Sequence, residues 1–119
     1  MLSYSNANAL LINEFDELVS AYNEDDWDFE YSPHCFYPAA FVPYIIKCLD
    51  DNNMNELNRI FNFVEKLFSE GDEDLLDMAG VSIVESVYYE PDYEKHKEKI
   101  YSLCGELTRK SFEDMERDE

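Results

Sequence analysis

Glycine and proline are scarce, 3 and 4 in 119 residues. So few leave little room for the tight turns of a β-sandwich, and helices are favoured from the start. Cysteine is scarce too. Cys35, Cys48 and Cys104 are odd in number and widely spaced, so they make neither a disulfide framework nor a zinc ligand set. His34 and His96 add no C-x-x-C or H-x-x-x-H spacing. Free thiols in a reducing cytosol are the simplest account. No apolar run approaches the ~18 residues of a membrane span, and Met1-Leu2-Ser3-Tyr4-Ser5 has no basic leader character. A cytoplasmic protein without a membrane segment is the expectation.

Positive charge is scarce relative to negative. Nine Lys and Arg stand against 28 Asp and Glu, a formal net charge of −19. Direct binding to DNA, RNA or anionic lipid needs Lys/Arg footprints, and this composition argues against it. Self-repulsion on this scale destabilises a compact state. The excess therefore fits a basic partner, a cation or mimicry of a polyanion, beside the bland reading of a generic acidic protein.

Chemical motifs are also missing. No P-loop, dinucleotide-binding glycine pattern, G-x-S-x-G or H-E-x-x-H occurs. Cys35 invites pairing with His96 or adjacent His34, but neighbours in sequence rarely present both side chains to one point, and nothing supplies an oxyanion hole. Asp26, Asp28 and Glu30 imitate the start of a calcium loop, yet Tyr31 fills the turn-glycine position and Tyr37 the final glutamate position. The expectation is a protein with no catalytic residues, no metal and no cofactor.

What is present is apolar and aromatic. Hydrophobic residues make up 45% of the chain and include 18 Phe, Tyr and Trp, enough for one good core in one domain over residues 1–119. The expected radius of gyration is about 13–14 Å. Leu11, Ile12, Phe15, Leu18, Val19 and Tyr22 recur at helical steps, predicting a first helix from Ser5 or Asn6 to about Asn23. From Glu24 to Tyr37 acids alternate with aromatics, and Pro33 favours an ordered loop over a strand. Pro38 suits the first turn of a second helix reaching Asp51, with Phe41, Tyr44, Ile45, Cys48 and Leu49 as its buried stripe. Asn52 or Asn53 caps a third helix, whose stripe runs through Leu57, Ile60, Phe61, Val64 and Leu67 to a stop at Gly71. Asp72 caps a fourth, apolar on more than one face, where Gly80 suggests close helix–helix approach. Its short connection to the third predicts an antiparallel hairpin. Pro91 breaks the chain, Asp92 starts a fifth helix ending at Gly105, and a last amphipathic piece carries Leu107, Phe112 and Met115. The acidic tail from about 113 to 119 is expected to fray. The fold class is thus all-α, a single-domain bundle of five or six helices, monomeric or weakly dimeric.

Two stretches suit a partner surface. In the acidic-aromatic loop these are Glu24, Asp25, Asp26, Trp27, Asp28, Glu30 and Tyr31; near Pro91 they are Tyr89 and Tyr93. Exposed aromatics ringed by acids are how interface hot spots are composed. Residues 1–58 hold eleven acids and one base, Lys47, and most cations come later, which predicts a strongly negative half, able to steer basic partners, and a mixed half.

The stretch Asn58-Arg59-Ile60-Phe61-Asn62-Phe63-Val64-Glu65-Lys66-Leu67-Phe68, then Gly71-Asp72, the Val84-Glu85-Ser86-Val87 helix and Leu103-Cys104-Gly105 before Arg109-Lys110-Ser111-Phe112 resembles small acidic helical bacterial immunity proteins. Such proteins accompany polymorphic toxins, including those of contact-dependent growth inhibition systems. The similarity covers residues 54–116 and rests on amphipathic helix patterns. It implies a role without a catalytic site to carry over: a cytoplasmic antidote that binds a cognate toxin domain, a basic nuclease being the kind an acidic surface fits. An acidic polyanion mimic or adaptor, acting on a nucleic-acid-binding host protein, is the alternative.

Overall fold

Asn53 opens a 17-residue helix, Met54–Glu70, by accepting the Glu56 N–H on its side chain. The next helical run opens the same way: Asp72 Oδ1 accepts the Leu75 N–H at 2.9 Å, with Glu73 and Asp74 in the first turn where the macrodipole favours them. These elements belong to a computed structural model that describes residues 1–18 and 32–117. Numbered along the chain, α1 is Ala7–Glu14, preceded by a 3-10 turn at Tyr4–Asn6. Pro33–Phe36, Tyr37–Phe41 and Val42–Asp50 run on without a break as α2. Met54–Glu70 is α3, and Glu73–Met78, Ala79–Glu85 and Ser86–Tyr88 together form α4. Tyr93–Leu103 is α5 and Glu106–Arg117 is α6.

The fold is all-α, with no strand among the described residues. One parallel bridge pins the N-terminal segment: Leu2 N donates to Glu70 O at 2.7 Å, and Asp72 N donates to Leu2 O at 2.8 Å. The Asp72 carboxylate also accepts the Tyr4 N–H, so one side chain caps α4 and fastens the chain's beginning. The radius of gyration is 13.5 Å, as expected for one compact unit of this length. No helix among the described residues is long and apolar enough to cross a membrane.

The core has two aromatic centres. Phe15, Phe41 and Phe63 meet at ring distances of 5.3 to 5.8 Å, with Tyr37 beside Phe41. Tyr37 is fully buried and donates its hydroxyl to Ala7 O at 2.6 Å; burial pushes its phenol well above the usual tyrosine range. At the other end Tyr93 stacks on Phe112 at 6.0 Å and 16°. Leu57, Ile60, Val64 and Leu67 on α3 face the middle of the core, as their spacing requires.

Three boundaries and one packing expectation differ from the sequence reading. The first helix ends at Glu14, because Phe15 leaves helical geometry (φ −124°, ψ 74°) to bury its ring. Arg59 holds that end from outside, donating to Glu14 O and laying its guanidinium 4.7 Å from the Phe15 ring centre. The second helix starts at Pro33, not Pro38. Pro33 occupies the tolerated first turn, and Pro38 is absorbed by the wide π-helical turn Tyr37–Phe41. Pro38 has no N–H to offer the His34 carbonyl four residues back, and Ser82 Oγ donates to that carbonyl at 3.1 Å. Gly80 does not mark a close approach: a methyl group there would meet nothing within 4 Å, and the residue lies in α4's own π-helical stretch Ala79–Glu85. Finally, residues 113–117 do not fray but complete α6. Phe112 is buried, and Glu116 accepts from Tyr101 Oη at 2.8 Å and pairs with Lys97 at 2.5 Å.

Candidate functional site

The acids and aromatics expected to meet a partner divide into two sets. Glu24, Asp25, Asp26, Trp27, Asp28, Glu30 and Tyr31 lie outside the described residues. Tyr89 and Tyr93 lie at a corner that the structure does describe, where the turn after α2 and the turn after α4 come together.

The α2 turn is built by asparagines. Asn52 takes the left-handed conformation (φ 55°), which asparagine tolerates better than most residues. Asn53 N then donates back to Cys48 O at 3.0 Å before capping α3. On the other side α4 ends at Tyr88, and Pro91 prevents continuation. Helix α5 ties the two turns together. His96, 3% exposed, bonds through Nε2 to Asp50 Oδ1 at 2.8 Å, and Lys99 Nζ donates to Leu49 O at 3.0 Å, near the carbonyl end of α2 where a cation is favoured.

Between the turns lies an open groove of about 400 Å³. Pro43, Ile46, Lys47, Asp50 and Asp51 form one wall and Glu90 the other. Positions 43, 46, 47 and 50 are the outward stripe of α2, so helical periodicity could have found this wall from sequence. Tyr89, next to Glu90, is 61% exposed with its ring 5.2 Å from Tyr88. Tyr93 faces inward and is only 4% exposed, so it serves the core and presents no ring to a partner. Burial first, then hydrogen bonding with Tyr101, pushes its phenol above the usual range.

The other singled-out side chains are engaged structurally. His34 Nδ1 meets Tyr4 Oη at 2.8 Å and Nε2 lies 3.4 Å from Asp77, so both ring nitrogens turn away from Cys35. Among the described residues no group of three or more His, Cys, Asp and Glu could hold a metal ion. Cys35 is exposed, Cys48 buried and Cys104 half-buried. Burial raises the thiols of Cys48 and Cys104 above the usual range, away from thiolate character.

A family model described as a domain of unknown function (DUF7674) matches residues 8–118. The chain belongs to this family. No curated protein and no solved structure matches it. The family domain takes in α1 to nearly the end of the chain and includes the acidic-aromatic stretch 24–37, which is therefore part of the domain and not an appendage. The family's description carries no activity and no link to immunity proteins.

The charge asymmetry is one of mixture more than of net charge. The remaining 17 of 28 acids and eight of nine bases leave residues 59–119 at −9. Several of those bases are consumed locally. Arg59 pairs with Glu14, Glu17 and Glu56 at 3.0 to 3.6 Å, Lys97 with Glu116, and Arg117 with Asp114.

Proposed function

We propose that the protein is a non-catalytic, cytoplasmic antidote that binds a cognate toxin domain, a basic nuclease by preference, through an acidic surface. The observation that carries the reading is the corner just described. An exposed tyrosine stands beside a partly apolar groove rimmed by Asp50, Asp51 and Glu90, on a chain of net charge −19. A nucleic-acid-cleaving domain presents a basic cleft, and an acidic protein blocks it by occupying it and by replacing the substrate's charge. Long-range attraction brings the two together, while aromatic anchors slow their separation. Glu24, Asp25, Asp26, Asp28 and Glu30 add to the chain's negative charge, and Trp27 and Tyr31 are further aromatic candidates for anchors. No step of this mechanism asks for catalysis.

The test is whether a toxin domain is encoded immediately upstream of the gene and whether co-expression of this protein neutralises it. Rescue of growth and recovery of a stoichiometric complex support the reading. Growth arrest despite abundant folded protein refutes it. Recovery of a nucleic-acid-binding host protein, with no effect on any neighbouring toxin, favours the polyanion-mimic reading instead.

A further inference from the structure

Away from the acidic corner, α1 and α3 leave a cleft of about 390 Å³ between them. That is at the small end of ligand sites, which run from roughly 300 to 1,000 Å³. Each wall is one helical stripe. Leu10, Asn13 and Glu14 come from α1, spaced three and four residues apart; Arg59, Asn62, Phe63 and Lys66 come from α3. Leu2 closes one end, held there by its two backbone bonds to Glu70 and Asp72. The lining is therefore apolar at Leu2, Leu10 and Phe63, and amide-bearing at Asn13 and Asn62.

The two cations of the cleft are not equivalent. Arg59 is answered by Glu14, Glu17 and Glu56 and donates to a backbone carbonyl, so its charge and donors are committed. Lys66, the other cation lining the cleft, has no acid within 4.0 Å among the described residues. Among the described residues, one positive charge of the cleft is left over beside two amides and an apolar floor. We propose that this cleft binds a small monocarboxylate with an apolar body. The carboxylate sits on Lys66 and Asn62, one helical turn apart on α3, and the apolar body lies on Leu10 and Phe63. Single charge is part of the selection, because the field of a −19 chain opposes a dianion twice as strongly as a monoanion. This site is separate from the acidic corner and independent of the antidote reading. The same chemistry is offered by the C-terminal residue of a peptide and by a short acyl chain.

The test is a titration of the isotopically labelled protein followed by amide NMR shifts, with N-acetyl-leucine, octanoate and uncharged N-acetyl-leucinamide as probes. Saturable shifts at Leu10, Asn13, Asn62 and Phe63 with a carboxylate, absent with the amide, are expected. Tighter binding of N-acetyl-leucine assigns the site to chain termini, and tighter binding of octanoate to acyl chains. Lys66→Gln should weaken binding about tenfold, and Lys66→Arg should restore most of it. Lys66 is exposed, so an unchanged thermal midpoint is the check that both variants fold. No saturable shift with either carboxylate, equal response to the amide, or full affinity in Lys66→Gln overturns the proposal.

Discussion

The last helix is capped by a side chain from a distant part of the chain, and removing it should have a measurable effect. Glu65 on α3 accepts Leu107 N at 3.1 Å, Thr108 N at 2.9 Å and Thr108 Oγ1 at 2.8 Å. It supplies α6 with the N-terminal acceptors that α6's own preceding residues, Cys104 and Gly105, lack. Burial alone would raise this carboxyl, but the three hydrogen bonds outweigh it and hold Glu65 below the ordinary carboxylate range. Loss of a helix cap costs about 1–2 kcal/mol, and loss of the charge facing the helix dipole about 0.3–1. Thr108 is fully buried, so in Glu65→Ala its hydroxyl also loses its partner. The sum for Glu65→Ala is about 2–3 kcal/mol, or roughly 8–12 °C in thermal midpoint for a domain of this size. Glu65→Gln keeps one acceptor and should lose about 1 kcal/mol. Urea unfolding followed by far-UV circular dichroism reads both. A Glu65→Ala midpoint equal to wild type, with an unchanged slope, would refute the capping argument.

The remaining predictions are briefer. Ile60→Ala and Ile83→Ala should destabilise by about 2–4 kcal/mol and Val64→Ala by about 1–3, because all three are at most 2% exposed; near-wild-type urea midpoints would show that these positions tolerate cavities. Gly80→Ala should raise the thermal midpoint, gaining up to about 1 kcal/mol of helix propensity into open space. Gly105→Ala should lower it, since the added methyl would lie 2.4 Å from Glu65 Cδ and displace the cap; equal midpoints for the two variants would contradict the geometry. The Lys97 hydrogen bond first, and Tyr101 with it, lowers the Glu116 carboxyl as the α6 cap lowers Glu65. Groups depressed on folding contribute stability above their unfolded value, near 4.5, and lose it as pH falls through the folded one. Acid unfolding should therefore set in below about pH 4.5, and a Glu65→Gln, Glu116→Gln double variant should unfold over a flatter pH range, as chemical denaturation at pH 3 to 7 would register.

Local signals made much of this fold legible. The stripe from Leu57 to Leu67 and the caps at Asn53 and Asp72 depend on residues within one or two turns, so sequence spacing reports them directly. The misread features depend on contacts far along the chain. Helix α1 stops at Glu14 because Phe15 is drawn into a cluster with Phe41 and Phe63, and because Arg59, 45 residues on, binds the Glu14 carbonyl. The proline-rich start of α2 runs on as helix through a widened turn backed by Ser82, 48 residues from His34. At the candidate site the tyrosines beside Pro91 were legible as a pair but not as opposites. Whether Tyr89 or Tyr93 faces inward depends on Phe112, which only the packed fold supplies. The outward stripe of α2 follows the same periodicity as its buried one, but Pro43 and Lys47 carry no motif that marks it as a groove wall.

The central claim is that negative charge on this domain speeds encounter with a basic protein. Its most direct measurement is the association rate with the proposed partner, a basic toxin domain, by stopped flow from low to high salt. Wild type should be compared with Asp25→Asn, Asp26→Asn, Asp28→Asn and, separately, with Asp50→Asn, Asp51→Asn, Glu90→Gln. The account predicts fast association for wild type, up to about 10⁸–10⁹ M⁻¹s⁻¹ at low salt and falling steeply as salt is added. At least one triple variant should associate more slowly with a flatter salt dependence. The Asp25, Asp26, Asp28 variant should keep an equal or higher thermal midpoint, since repulsion is relieved, whereas Asp50→Asn also loses the carboxylate that meets buried His96 and should not raise it. Association rates for both variants that match wild type at low salt would contradict the account.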